Sequence, residues 1–167
     1  AFTAYDSAGK VRKGVTTITG LSHLEGSSVQ IVGNGAVFPN ATVTNGEVTT
    51  ATEVSEAYVG LGYTTTLKPS RPEFGSPQGI TQGKPKRWNH IFVRLVNTLG
   101  ITINGDQMPF RTSADLLNSP PASFTGDKKV MNLGYDKDGF IEIKQEQPLD
   151  MHVVAIGGDI NTGEQFT

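Results

Sequence analysis

Asp136-Lys137-Asp138-Gly139 is the segment whose spacing comes nearest to a metal loop. A calcium loop of the EF-hand type wants acids at its first, third and fifth positions, glycine at the sixth and a bidentate glutamate at the twelfth. With Gly139 set as the sixth, Asp136 and Asp138 fall on the third and fifth. Gly134 and Gln145 then stand where the first and last ligands belong. β-Branched residues flank the segment where helices should be. Asp-Gly is a turn former in its own right, so the segment reads as a hairpin turn, with weak ion binding at Asp136 and Asp138 left open.

The other reactive residue types are dispersed. His23, His90 and His152 are far apart and lack the short spacing of a zinc site. No Gly-x-Ser-x-Gly elbow presents a nucleophile, and Ser27, Ser28, Ser70, Ser76 and Ser113 lie near turns, where serine is expected anyway. Glu53 with Glu56, and Glu142 with Glu146, are sequence neighbours on solvated strand faces rather than an opposed acid pair. Gly33-Asn34-Gly35 has no continuation into a phosphate loop and no following helix. Lys84-Pro85-Lys86-Arg87-Trp88 is the one basic run with an aromatic. It suits a non-specific, salt-sensitive contact with nucleic acid, or a solvated strand entrance with a core tryptophan. No catalytic residue, metal centre or cofactor emerges from these patterns, and the expectation is that the protein is not an enzyme.

Elements must therefore carry the reading. Val29-Gln30-Ile31-Val32 alternates, Gly33-Asn34-Gly35 interrupts, and Ala36-Val37-Phe38 resumes. Ala41 to Thr44, Asn45-Gly46 and Glu47 to Thr50 form a second such unit. Asn-Gly between alternating runs is the strongest short-range hairpin signal, because a type I′ turn needs positive φ at both central residues. Pro39 marks a strand end or edge. About five short strands are predicted between Val15 and Val59, the first running from Val11 to Ile18. A closed barrel or compact sandwich buries so many short strands best.

Further on, Tyr58 to Leu67 reads as one extended strand with a glycine kink, and 74–85 as a loop. Trp88 to Asn97 is the strongest strand. It is apolar on both parities from Ile91 to Leu95, which predicts a central strand buried on both faces. Asn104-Gly105 is a turn, and 119–125 is irregular. Strands are expected at Lys128 to Leu133, Phe140 to Lys144 and Met151 to Ile156. Phe110 to Asn118 is the best helical stretch, stopped by Pro120-Pro121, and it is not convincing. The fold class is all-β with little helix: a small β-barrel over 14–59, and a β-sandwich body from 1–13 with 60–167.

Composition agrees. The chain has 167 residues with 20 Gly, 9 Pro and no Cys. That length buries a core without staples, and no disulfide or thiolate metal site exists. A net charge of −2 gives no case for nucleic-acid binding across the whole surface. No apolar run is long enough to span a membrane, and no signal-peptide pattern appears. The start Ala1-Phe2-Thr3 suggests a fragment of a longer protein or a processed terminus.

The order of several segments resembles a structural module of tailed bacteriophages, the C-terminal module of the tail nozzle or phage stabilisation protein type. The segments are Thr17-Ile18-Thr19-Gly20-Leu21-Ser22-His23-Leu24-Glu25-Gly26, then Val29 to Val32, Gly35-Ala36-Val37 and Tyr58-Val59-Gly60-Leu61-Gly62-Tyr63-Thr64. They continue with Gly83 to Leu95, Phe124-Thr125-Gly126-Asp127-Lys128, Asp138 to Ile143, Gln147-Pro148-Leu149 and Val153 to Ile156. The small barrel of that family is likened to the first catalytic-cysteine half-domain (FCCH-like) of ubiquitin-activating enzymes, a likeness of fold only. The resemblance implies a virion protein made in the bacterial cytoplasm, in a homo-oligomer with other tail or connector subunits. Such a protein lines the DNA exit channel or holds a fibre. Arg87, Trp88, Arg94 and Asp127 are then structural or interface residues. A carbohydrate-binding β-sandwich using Tyr5, Tyr63, Phe74, Trp88 or Tyr135 is the alternative, and a tail-attached hydrolase a third reading.

Overall fold

In the computed structural model, residues 14–76, 79–117, 119–131 and 133–163 are described. Tyr5, the basic residues Lys10, Arg12 and Lys13, and the expected start of the first strand at Val11 lie outside them. The chain is all-β. Its one helical element among the described residues is a 3-10 turn at Ser22–Leu24. The stretch from Phe110 toward Asn118 holds turns and bends, as its Ser, Asp and Pro content favours. No helix is long and apolar enough to cross a membrane.

The described residues group into two compact units. The first runs to Tyr63, just past the expected boundary, and takes in short pieces near Leu116 and at Gln147–Leu149. It holds β1 (Val15–Thr19), β2 (Ser28–Gly33), β3 (Ala36–Thr42), β4 (Glu47–Val54) and β5 (Ala57–Gly60). β1 pairs antiparallel with β4, and β3-β2-β5 form a three-stranded sheet. A closed ladder is not among these pairings. Ribbon and sheet instead share one core of Leu21, Val29, Ile31, Val43 and Val48, against which Ile18, Phe38 and Val59 pack.

Both Asn-Gly turns of this unit have positive φ at both residues, 50° and 79° at Asn34-Gly35 and 55° and 72° at Asn45-Gly46. The first closes the β2–β3 hairpin as expected. The second does not close a hairpin with Ala41 to Thr44. Only an isolated bridge, Thr44 to Glu47, spans it, and β4 continues alongside β1. Pro39 explains the difference. It sits on the edge strand β3, where an extra residue interrupts the register between Phe38 and Ala41, so β3 bends away before a long second hairpin can form.

The Ser22–Leu24 turn is a clasp on the second Asn-Gly turn. The Glu25 carboxylate accepts from the N–H groups of Asn45 (2.9 Å) and Gly46 (2.7 Å). Leu21 N–H donates to Gly46 O (2.9 Å), and Gly26 N–H to Val43 O (3.0 Å). These bonds satisfy donors that a tight turn otherwise leaves to water.

The second unit is a sandwich of two sheets. One orders β11 (Asp106–Gln107), β10 (Ile101–Ile103), β14 (Ile143–Gln145) and β6 (Thr65–Leu67). The other centres on β9 (Lys86–Thr98), which has β12 (Phe124–Met131) and then β13 (Tyr135–Asp136) along one edge and β15 (Val153–Thr162) along the other. A two-stranded hairpin, β7 (Gly75–Ser76) with β8 (Gly79–Ile80), replaces part of the expected loop. Ile91, Val93, Leu95 and Val130 of one sheet meet Ile101, Ile103 and Ile143 of the other, with Ile141. Each fully buried isoleucine contributes about 1.5–3 kcal/mol of hydrophobic stabilisation.

Four sequence expectations change here. Tyr58 to Leu67 is two strands, β5 and β6, in different units. β12 begins at Phe124, inside the stretch read as irregular. Phe140 to Glu142 lie outside the strand that begins at Ile143. β9 is central, but only one of its faces is buried: Ile91, Val93 and Leu95 face the core, while Phe92, Arg94 and Val96 are exposed.

Candidate functional site

Three of the four residues singled out from the sequence lie on β9, and the fourth lies opposite it. Antiparallel pairing puts Asp127 of β12 directly across from Arg94. Directly opposed side chains share a face. Arg94 Nε donates to Asp127 Oδ1 (2.8 Å), and its Nη2 to Oδ2 (2.9 Å). This two-pronged geometry fixes both partners. The hydrogen bond from Arg94 holds the Asp127 carboxyl below its ordinary value and raises the guanidinium above its own. The pair lies on the outer, solvent-facing side of the sheet, so it sets strand register more than it adds stability.

Next to it on the same face is a row made by Lys129, Phe92 and Gly157, and beyond that a row of Met131, His90 and Asp159. His90 meets the Phe92 ring edge-on, with centroids 5.0 Å apart, and the Lys129 ammonium lies over that ring. This face is therefore mixed: exposed Phe92 and Met131 among paired charges.

A bulge at Asn89 separates these rows from Arg87 and Trp88. β15 advances one residue, Asp159 to Ile160, while β9 advances two, His90 to Trp88. The extra residue reverses the parity of β9, so Trp88 joins Ile91, Val93 and Leu95 on the core side. Trp88 Nε1 donates to Gly139 O (2.8 Å), which satisfies the indole as its ring packs on the core. Arg87 is left on the outer side, over the Tyr135 ring at 5.1 Å, with Nη2 donating to Asn89 Oδ1 (3.2 Å). Its Nε is buried without a hydrogen-bond partner. Asn89 also donates to Asp159 Oδ2 (2.9 Å).

The largest polar constellation was not found from sequence. Lys86 is fully buried, and its Nζ donates to Glu73 Oε1 (3.0 Å). Thr81 Oγ1, also buried, donates to Glu73 Oε2 (3.1 Å), and Phe74 N–H donates to Thr81 Oγ1 (3.0 Å). Arg71 bridges from Glu73 (3.3 Å) to Asp138 (3.0 Å). The hydrogen bond from Lys86 is the main cause that holds the Glu73 carboxyl below its ordinary value. The signal lay in the basic run itself: with the Asn89 bulge, Lys86 shares the inward parity of Trp88. Read as a solvated entrance, the run hid this. Lys86 cannot reach a phosphate, and only Lys84 and Arg87 remain for one.

Asp136 and Asp138 are employed in the same neighbourhood. Asp136 Oδ2 accepts from Gly139 N–H (2.9 Å), and Gly139 has φ +61°. This is a side-chain-closed turn, but it closes no hairpin: β13 before it pairs with β9, and β14 after it pairs with β10 and β6. Asp138 is held by Arg71. Among the described residues, no three His, Asp or Glu side chains gather to hold a metal ion. His152 Nδ1 lies 3.2 Å from Val96 O.

These arrangements fix strands and turns through paired charges and hydrogen bonds, and they define an all-β, two-unit protein with mixed exposed sheet surface. Comparison with known proteins gives no match to a family model and none to a curated protein.

Proposed function

We propose that the chain is a structural component of a tailed-phage virion, placed in the tail or head-tail junction. It acts there in assembly, as part of the DNA exit channel or of a fibre attachment, in a homo-oligomer with other tail or connector subunits. The observation that carries this reading is the order of segments from Thr17 to Ile156 that resembles the nozzle or stabilisation module. The positions of those segments support it. Leu21, Glu25 and Gly26 build the clasp on the Asn45-Gly46 turn, and Arg94 with Asp127 locks β9 to β12. Such residues serve a rigid packing unit better than a reaction. Exposed Tyr58, Leu61 and Tyr63 in the segment Tyr58 to Thr64 offer apolar surface for neighbouring subunits.

Immunogold electron microscopy of virions, with antibody raised against this chain, tests the reading. Label confined to the tail or portal vertex is expected. Fully assembled, unlabelled particles from cells that express the protein overturn it. A glycan-binding module then becomes the leading reading, although Trp88 packs against the core instead of standing on a binding face.

A further inference from the structure

The two edges of the β9 sheet differ in character. The β12 edge carries Asp127, Lys128 and Lys129. Lys128 Nζ reaches Pro109 O (2.6 Å) and lies over the Phe124 and Phe110 rings. Charged side chains and a covering segment are how edge strands are kept from pairing. β15 has neither. Its ten residues hold a single charge, Asp159, and among the described residues it pairs only with β9. Its core-facing Ile156 and Ile160 are only half-buried, and Val154 is 62% exposed. A further strand laid along this edge would complete both the ladder and the side of the core.

We infer that the strand added there is β15 of a second copy of this chain, antiparallel, across a two-fold axis at Gly157. The sequence of β15 is self-complementary in that register. Opposed residues of an antiparallel pair share a face. On the outer face, Gly157 then meets Gly157, and Ala155 of each copy meets Asp159 of the other. Arg94 is the neighbour of Ala155 within each copy. Asp159 of the second copy therefore arrives across a single methyl group from the exposed Arg94 guanidinium, which Asp127 already pairs from the β12 side, and the symmetry repeats this approach. The only charge on each strand is brought toward an opposite charge and away from its own twin. Phe92 is the neighbour of Gly157, so an aromatic residue stands beside the glycine seam in each copy. A Cβ at Gly157 would meet nothing within 4 Å, so the seam is open in the single chain. A single added strand pair is a small contact beside the ~800 Å² per partner of a standard interface, and the pair is expected to dissociate on dilution. Such a pair gives the assembly role proposed above a partner, but it rests on the sheet edge alone, so either can fail without the other.

The natural absence of cysteine makes the test direct. Opposed Cα atoms in an antiparallel pair are about 4.5–5.5 Å apart, within disulfide range. Gly157→Cys is expected to give a covalent dimer under mild oxidation, and Leu117→Cys, at another exposed site, much less. Sedimentation of the unaltered chain at about 100 µM is expected to show dimer. Gly157→Lys, which sets two ammonium groups face to face, is expected to be monomeric with an unchanged circular dichroism spectrum. A monomeric unaltered chain at that concentration overturns the inference. So does a dimer in which Gly157→Cys cross-links no faster than Leu117→Cys, or one that survives Gly157→Lys.

Discussion

Replacing Glu25 with alanine tests how the first unit is held together. Its carboxylate takes both main-chain N–H groups of the Asn45-Gly46 turn, at 2.9 and 2.7 Å. Hydrogen bonds to a charged acceptor contribute about 1.5–3 kcal/mol when sheltered. Glu25 is exposed, so each is discounted for solvent screening to about 0.5–1 kcal/mol. Glu25→Ala should therefore cost about 1–2 kcal/mol. Glu25→Gln keeps one acceptor oxygen and should cost about half of that. With a urea slope of about 1–1.5 kcal/mol/M for so small a unit, the alanine midpoint should fall by roughly 1 M. The assay is urea titration followed by far-UV circular dichroism, with amide hydrogen exchange at Asn45 and Gly46 as the local reporter. Both amides should lose protection in the alanine variant while those of β9 keep theirs. An unchanged midpoint with Asn45 and Gly46 still protected would refute the clasp.

The second unit yields three other expected outcomes. Lys86→Met should be tolerated far better than Glu73→Gln, because the first removes a buried charge and the second strands one; thermal melts followed by Trp88 fluorescence rank the two. Asp127 has a folded pKa below its unfolded one, so its contribution is full above the unfolded value and is lost as pH falls through the folded value. In Arg94→Gln, NMR titration of Asp127 should return upward toward 3.8; an unmoved titration would mean that the pair is not formed in solution. Gly158→Ala would drive a Cβ into the main-chain oxygen of His90, whereas Gly157→Ala meets nothing within 4 Å. The first should lower the melting temperature sharply, by about 1–3 kcal/mol of stability or more, and the second should leave it within experimental error; equal melting temperatures would count against the packing at the bulge.

The sequence made the turns legible and left the pairings obscure. Asn34-Gly35, Asn45-Gly46 and Asn104-Gly105 each announce positive φ through residue type, and each has it. The strand pairing beyond a turn is decided at a distance. The Asn45-Gly46 turn does not close a long hairpin, since Pro39 bends β3 and leaves β4 to β1. β9 was legible as the central strand, but its apolar run disguised a one-sided face because Phe92 and Val96 are apolar residues on the exposed side, and before the run the extra residue at Asn89 shifts parity without any change of composition. That shift also decides which of Lys86 and Arg87 goes inward. Arg94 and Asp127 stood out only through the resemblance. Their meeting depends on β12 starting at Phe124, in a stretch whose Ser and Pro content reads as irregular.

The clasp also gives this protein a chemical age. Asn-Gly bonds are where an asparagine side chain is most readily attacked by the next main-chain nitrogen, losing ammonia and reopening as aspartate or isoaspartate. Asn34 is protected from this by its own bonds, since its Oδ1 accepts from Ser55 N (3.1 Å), Ser55 Oγ (2.9 Å) and Glu56 N (3.2 Å). Asn104 Oδ1 is likewise held by Glu142 N–H at 2.7 Å. Among the described residues, no hydrogen bond restrains the amide side chain of Asn45. At Asn45 the restraint is on the attacking nitrogen instead, since Gly46 N–H donates to the Glu25 carboxylate (2.7 Å), so losing that bond is what opens this turn to deamidation. A deamidation there would set a new carboxylate against that of Glu25, so the clasp that holds the first unit together also guards its chemistry.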